Sequence, residues 1–238
     1  MDDLQIVLLH PLPLDGSMWP DEMQSLGGRT ITPTLYDYGD SIGNWARGVL
    51  DQTRPGPLVV VGNSVGGSCA IEIARLAPDR VRLLVLVGAK AGHRREPSLR
   101  DQAVRLLGQQ DIDAAWNAYW APLFGPDTDP AVVERGRTIA HEQGVASLIR
   151  GVQVFHDRPD RASFLREYDG RVVVVSGEHD IHPDRAHRAA SQLRNAAFVC
   201  VPAVGHYLPL EQPHALATIV RSETERLPPR TSSVPRAG

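Results

Sequence analysis

Six short runs rich in leucine and β-branched residues recur along the chain, at 4–9, 29–32, 58–61, 81–87, 171–176 and 197–201, with helical patterns between most of them. Near-continuous apolar strands have no polar face to show to water, so a sheet built from them must be covered on both sides. Strands that alternate with helices meet that need as a mainly parallel sheet flanked by helices, an α/β architecture. Ile42, Trp45, Ala46, Val49 and Leu50 recur at helical spacing and give one such helix an apolar face to lay on the sheet. The segment 213–227 reads as a closing helix opened by Pro213 near its first turn.

The alternation breaks between about 93 and 168, where helical patterns fill more than two ordinary connections and no strong strand signal appears. The expected organisation is an α/β core over 1–92 and 166–228, an inserted helical cap over 93–165, and a flexible polar, proline-rich tail over 229–238. Trp116, Tyr119, Trp120 and Phe124 cluster in the insertion at helical spacings. Such a stripe packs an insertion onto its body, or lines a substrate site beneath it, and Trp116, Tyr119 and Trp120 are the candidates for substrate contact.

A chain of 238 residues can bury a full core without a metal or disulfide. Cys69 and Cys200 accordingly read as small buried hydrophobes. The net charge of −3 has its signs interspersed, and Lys90 is the only lysine, so there is no basic field for nucleic acid or an anionic membrane. No signal-peptide pattern and no run of membrane-spanning length is present. The expectation is a soluble cytoplasmic protein that acts on a small molecule, with its oligomeric state open. Neither a phosphate-loop motif nor a dinucleotide fingerprint occurs.

The chemistry-bearing motif is Gly62-Asn63-Ser64-Val65-Gly66, directly after the run at 58–61. In that context Ser64 is a candidate nucleophile on a sharp strand-to-helix turn, and an ordinary glycine-rich connection is the alternative. A serine hydroxyl is a poor nucleophile at neutral pH and needs a base plus a group to orient that base. Asp180 and His206 each follow a predicted strand, and in a parallel sheet such ends share one edge. Their order after Ser64 is the one that accompanies a nucleophile elbow. Glu178 and Asp184 compete with Asp180 for the acid role, and Asp184 better fits the cap of the next helix. His179, Asp180, His182, Asp184 and His187 are dense enough to raise a metal site, but their spacing fits neither H-E-x-x-H nor a cysteine-containing zinc pattern. No metal and no cofactor is expected.

Four motifs in order make the chain resemble a capped member of the α/β-hydrolase superfamily: His10-Pro11-Leu12, the Ser64 turn, Gly177-x-x-Asp180, and Gly205-His206 followed by Leu210-Glu211-Gln212-Pro213. The resemblance runs from about 4 to about 216. The segment 144–161, with Arg158-Pro159-Asp160-Arg161, is similar to small esterase and enol-lactonase-like members. The resemblance implies a doubly wound sheet of about six strands in the order 2-1-3-4-5-6. It also implies that Ser64 attacks, that His206 takes and returns the proton, and that Asp180 holds the imidazole; family spacing prefers Asp180 over its rivals. The oxyanion would be met by the N–H groups of Leu12 and Val65. Family members commonly carry glycine where this chain has Pro11, which lacks an N–H, but the family's donor is one residue later, at Leu12. His10 is expected to shape this loop through backbone hydrogen bonds. The implied activity is cleavage of a small carboxylic ester or lactone through an acyl-enzyme. The fold also serves thioesterases and carbon–carbon bond hydrolases or lyases, for which His93, Arg94 and Arg95 are candidate extra polar groups only by their place at the start of the cap and otherwise read as solvated charges, and binding proteins that do not turn over their ligand.

Overall fold

A computed structural model describes residues 4–93 and 95–228; Arg94 and the expected tail at 229–238 lie outside the described residues. Six strands form one sheet, β1 (Gln5–Leu9), β2 (Arg29–Ile31), β3 (Leu58–Asn63), β4 (Val81–Val87), β5 (Arg171–Gly177) and β6 (Ala196–Val201), in the order β2-β1-β3-β4-β5-β6. Every neighbouring pair is parallel. This is the order that the resemblance implies.

Because successive strand residues face opposite sides, each apolar run feeds two cores. Ile6, Leu8, Val59, Val61, Val85 and Val173 belong to one core, completed by Leu216, Ala217 and Val220 of the closing helix Pro213–Glu225 and by residues of the insertion. Val7, Leu9, Val60, Leu84 and Val172 belong to the other, covered by the helices Ile42–Gln52 and Val65–Leu76. Ser41 caps the former helix, accepting the Asn44 N–H at 3.2 Å, and Trp45 and Val49 point from it into the core.

Between β4 and β5 run the helices Pro97–Gly108, Ile112–Ala115, Pro130–Glu142, Gly144–Asp157 and Ala162–Glu167, with a π-helical turn over Trp116–Trp120. Arginine side chains are among the ties between this stretch and the sheet-bearing part. Arg150 donates to the Tyr36 carbonyl at 2.7 Å, and Arg161 Nε pairs at 2.8 Å with Glu72, a buried carboxylate on the Val65–Leu76 helix that also holds Arg75.

Two expectations are corrected. Cys200 is exposed, because β6 is the edge strand and its outer residues lack a covering layer, whereas Cys69 is buried. Asp184 is not a helix cap: it sits in the first turn of Pro183–Ala190, behind His182 and the opening proline, where its charge suits the helix dipole. Among the described residues, no helix is long and apolar enough to cross a membrane.

Candidate active site

Ser64 stands between the end of β3 and the Val65–Leu76 helix with φ 54° and ψ −117°, a left-sided backbone that a residue with a Cβ adopts only when its surroundings enforce it. Two glycines let the turn close. A Cβ on Gly62 would lie 2.4 Å from the Gly66 carbonyl oxygen, and one on Gly66 would lie 2.3 Å from that of Leu9. The Ser64 N–H donates to Val87 O at 2.9 Å, and its carbonyl accepts from Gly67 at 3.0 Å. The buried Asn63 amide donates to Val87 O at 3.0 Å and to His206 O at 3.1 Å, so the turn is tied to the loop that carries the histidine.

His206 and Asp180 meet at the same sheet edge. The imidazole Nδ1 lies 2.7 Å from Asp180 Oδ1, and both side chains are nearly buried. Burial pulls the Asp180 carboxyl upward, but the His206 hydrogen bond and charge, the Ile181 N–H and nearby Lys90 outweigh it and hold the group below the usual carboxylate value. The rival acids go elsewhere: Glu178 accepts the Ala203 N–H at 3.0 Å, and Asp184 is on the following helix. Gly88, at φ +55°, forms the floor of the pair, since a Cβ there would lie 2.8 Å from His206 Nδ1 and 2.9 Å from Asp180 Oδ2.

The backbone around His206 is held by one carboxylate. Glu211 Oε2 accepts from Gly125 N–H at 2.9 Å, Gly205 N–H at 3.0 Å and the Thr128 hydroxyl at 2.6 Å, while Oε1 accepts from Tyr207 N–H at 3.1 Å. The His206 N–H donates to Leu123 O at 2.8 Å, so the histidine loop is fastened to the inserted segment as well.

The loop after β1 is equally fixed. His10 Nε2 accepts the Leu35 N–H at 2.8 Å, which makes Nδ1 the protonated nitrogen, donating to Pro11 O at 3.1 Å. Complete burial lowers the His10 pKa to about 4, against the smaller opposing effects of Pro11 and Asp15, so the ring is neutral. Tyr207 donates to Leu12 O and Tyr36 to Leu14 O, both at 2.9 Å. The Leu12 and Val65 N–H groups have no hydrogen-bond acceptor among the described residues, and Val65 opens its helix, where the first N–H groups lack intrahelical partners.

Leu12, Ser64, Asp180 and His206 all line one cavity of about 580 Å³, roofed by inserted residues that include Tyr119, Trp120, Val152 and Phe155. Among the described residues Ser64 Oγ makes no side-chain hydrogen bond; in ligand-free sites such contacts are often long and tighten only with substrate. Trp116 is a correction. It does not line the cavity but packs on Phe124, ring centroids 5.9 Å apart, in a notch left by Gly136, whose Cβ would meet the indole at 3.0 Å. His93 is engaged with His156 O at 2.7 Å. Among the described residues no group of three or more His, Cys, Asp and Glu could hold a metal ion, and His187 stacks on Phe198. The roles of Gly88, Tyr36 and Tyr207 escaped sequence reasoning. Gly88 directly follows the β4 run and Tyr207 directly follows His206, the only sequence signals either carries.

Comparison with known proteins follows the same lines. A model of the alpha/beta hydrolase family matches residues 6–219. The chain is 29% identical to a Bacillus subtilis (strain 168) protein named putative 2-succinyl-6-hydroxy-2,4-cyclohexadiene-1-carboxylate synthase, over 72% of this chain and 67% of that one. It is 27% identical to an esterase of Mycobacterium tuberculosis, over 91% of this chain and 81% of the other. Among solved structures, the enol-lactonase from Burkholderia xenovorans LB400 aligns with a TM-score of 0.83 at 19% identity, covering 94% of this chain and 92% of that one, a likeness of fold.

Proposed function

The chain belongs to the alpha/beta hydrolase family, and from that premise we propose that it is a serine hydrolase that opens a small carboxylic ester or lactone through an acyl-enzyme on Ser64. The observation that carries this reading is the buried His206–Asp180 pair, 2.7 Å apart, facing the same cavity as the strained Ser64 turn. Ser64 Oγ attacks the substrate carbonyl carbon while His206 Nε2 takes the hydroxyl proton. Asp180 keeps the proton of the imidazole on Nδ1 and stabilises the imidazolium. The oxygen that gains charge turns toward the Leu12 and Val65 N–H groups, which are fixed before the reaction begins and so need no reorganisation. When the tetrahedral intermediate collapses, the C–O bond breaks and Nε2 returns the proton to the departing alkoxide. Water then repeats the sequence, with His206 as base, and releases the acid and free Ser64. In a lactone the alcohol stays attached to the acyl group, so the released product is a single hydroxy acid.

The inserted helices act as the cap of this site, with Tyr119 and Trp120 on its apolar wall and Trp116 packed on Phe124 instead. The esterase and the enol-lactonase among its likenesses support an ester or lactone substrate. The test is a panel of short-chain esters, thioesters and lactones, with rapid acid quench and intact-mass detection. The expected result is turnover of esters or lactones with a transient acyl adduct on Ser64 that Ser64→Ala abolishes. Turnover without such an adduct, surviving Ser64→Ala, contradicts it.

A further inference from the structure

The cavity carries more positive than negative side chains in its lining. Lys90, Arg158, Arg166 and Arg185 line it against two carboxylates, Glu96 and Asp180, and Asp180 is engaged by His206. Arg158 stands out among these cations. It is 7% exposed, yet its only hydrogen bond among the described residues goes to the Phe155 carbonyl, and its guanidinium lies 4.0 Å from the centroid of the Phe155 ring.

Its neighbours in sequence are all supplied with partners. Asp157 pairs with Arg100 at 3.1 Å, Asp160 accepts the N–H groups of His93 at 3.0 Å and Ala162 at 2.8 Å, and Arg161 pairs with Glu72. Arg158 thus sits between two aspartates that turn to other groups, with no carboxylate within ion-pairing distance among the described residues. A buried guanidinium without a counter-charge is costly, and a protein retains one where an anion completes it. Five donors in a planar fork match a carboxylate.

We infer that Arg158, aided by Lys90, binds a carboxylate on the substrate, so that the molecule cleaved at Ser64 is the ester or lactone of an acid that carries a second, free carboxylate. The inference rests on the hydrolase reading and narrows its substrate class. Apolar residues of the same lining, such as Val152, Phe155 and Leu165, take the methylene chain that joins the reacting carbonyl to the free acid.

The experiment compares monomethyl with dimethyl esters of glutarate and suberate at neutral pH, where only the former carry a charge. Wild type is expected to favour a monomethyl ester in kcat/KM by roughly tenfold or more, as for a hydrogen bond to a charged group. Arg158→Gln is expected to erase that preference, read as the ratio of the two kcat/KM values within one variant, chiefly through the KM of the monomethyl ester, and Arg158→Lys to restore part of it. A purely structural guanidinium would instead depress both esters together. Equal kcat/KM on both ester classes in wild type, or a preference that survives Arg158→Gln, overturns the inference without touching the hydrolase reading. If wild type cleaves neither class, the hydrolase reading is decided by the ester, thioester and lactone panel, and calorimetry with free suberate decides this one. Saturable binding to the Ser64→Ala protein that Arg158→Gln abolishes supports the carboxylate site, and no binding overturns it.

Discussion

Ser64 and its partners form a unit only because a residue without a side chain lies between strand and histidine. Gly88 combines a positive φ with a position where a Cβ would lie within 2.9 Å of atoms of both His206 and Asp180. Gly88→Ala is expected to push the imidazole off its carboxylate and lower kcat on the order of 10²-fold, since misplacement of about 1 Å costs that much. Ester turnover beside the circular dichroism spectrum checks this, and an unchanged kcat would remove Gly88 from the account. This residue was not legible in the sequence as part of the site, because a glycine after an apolar run reads only as a turn. The G-x-S-x-G motif was legible because its residues are contiguous and the demand on Gly62 is local to the turn, whereas Gly66 is kept bare by the distant Leu9 and His10 carbonyls. Cys200 was misread for the opposite reason: an apolar strand pattern does not say whether the strand is internal or at the edge, and β6 is at the edge.

At the scale of the element, the loop after β1 is a preformed backbone held by three buried side chains: His10, which belongs to the loop, and Tyr36 and Tyr207, which reach it from elsewhere in the chain. His10 makes this loop sensitive to acid. Its folded pKa of about 4 lies below the ordinary histidine value, so between those limits the unfolded chain takes up a proton that the folded chain refuses. The stability contributed is therefore complete above about pH 6.5 and is lost toward pH 4, by about 1.4 kcal/mol per pH unit. Denaturant unfolding at pH 7 and pH 5 should show wild type losing about 2 kcal/mol more than His10→Gln. Equal losses would mean that His10 is not the neutral ring that the Leu35 N–H requires. The sequence pointed to His10 as a loop-shaping residue, but its partners Leu35 and Tyr36 lie in a connection whose position relative to the first loop no local pattern encodes.

Across the whole molecule, the strand runs disclosed the sheet and its two covered faces, while the inserted helices announced themselves only as an interruption of that rhythm. How they attach depends on pairings between distant residues. Glu72 is buried between Arg75 and Arg161, and Glu72→Ala should cost about 1.5–3 kcal/mol, the scale of a hydrogen bond to a charged group, because the Arg161 it leaves unpaired where the insertion returns to the sheet is still 29% exposed to solvent. Chemical denaturation measures it, and a loss under 1 kcal/mol would mean that packing alone fixes the insertion. The same long-range convergence underlies the proposed chemistry, because Ser64, Asp180 and His206 come from the ends of three separate strand regions. The most direct measurement is therefore the rate and site of covalent labelling by a fluorophosphonate, read by peptide mass mapping. The account predicts a single adduct on Ser64, absent in Ser64→Ala and slowed at least 10³-fold in His206→Ala. A folded protein that stays unlabelled, or that labels Ser64 equally fast without His206, would contradict it.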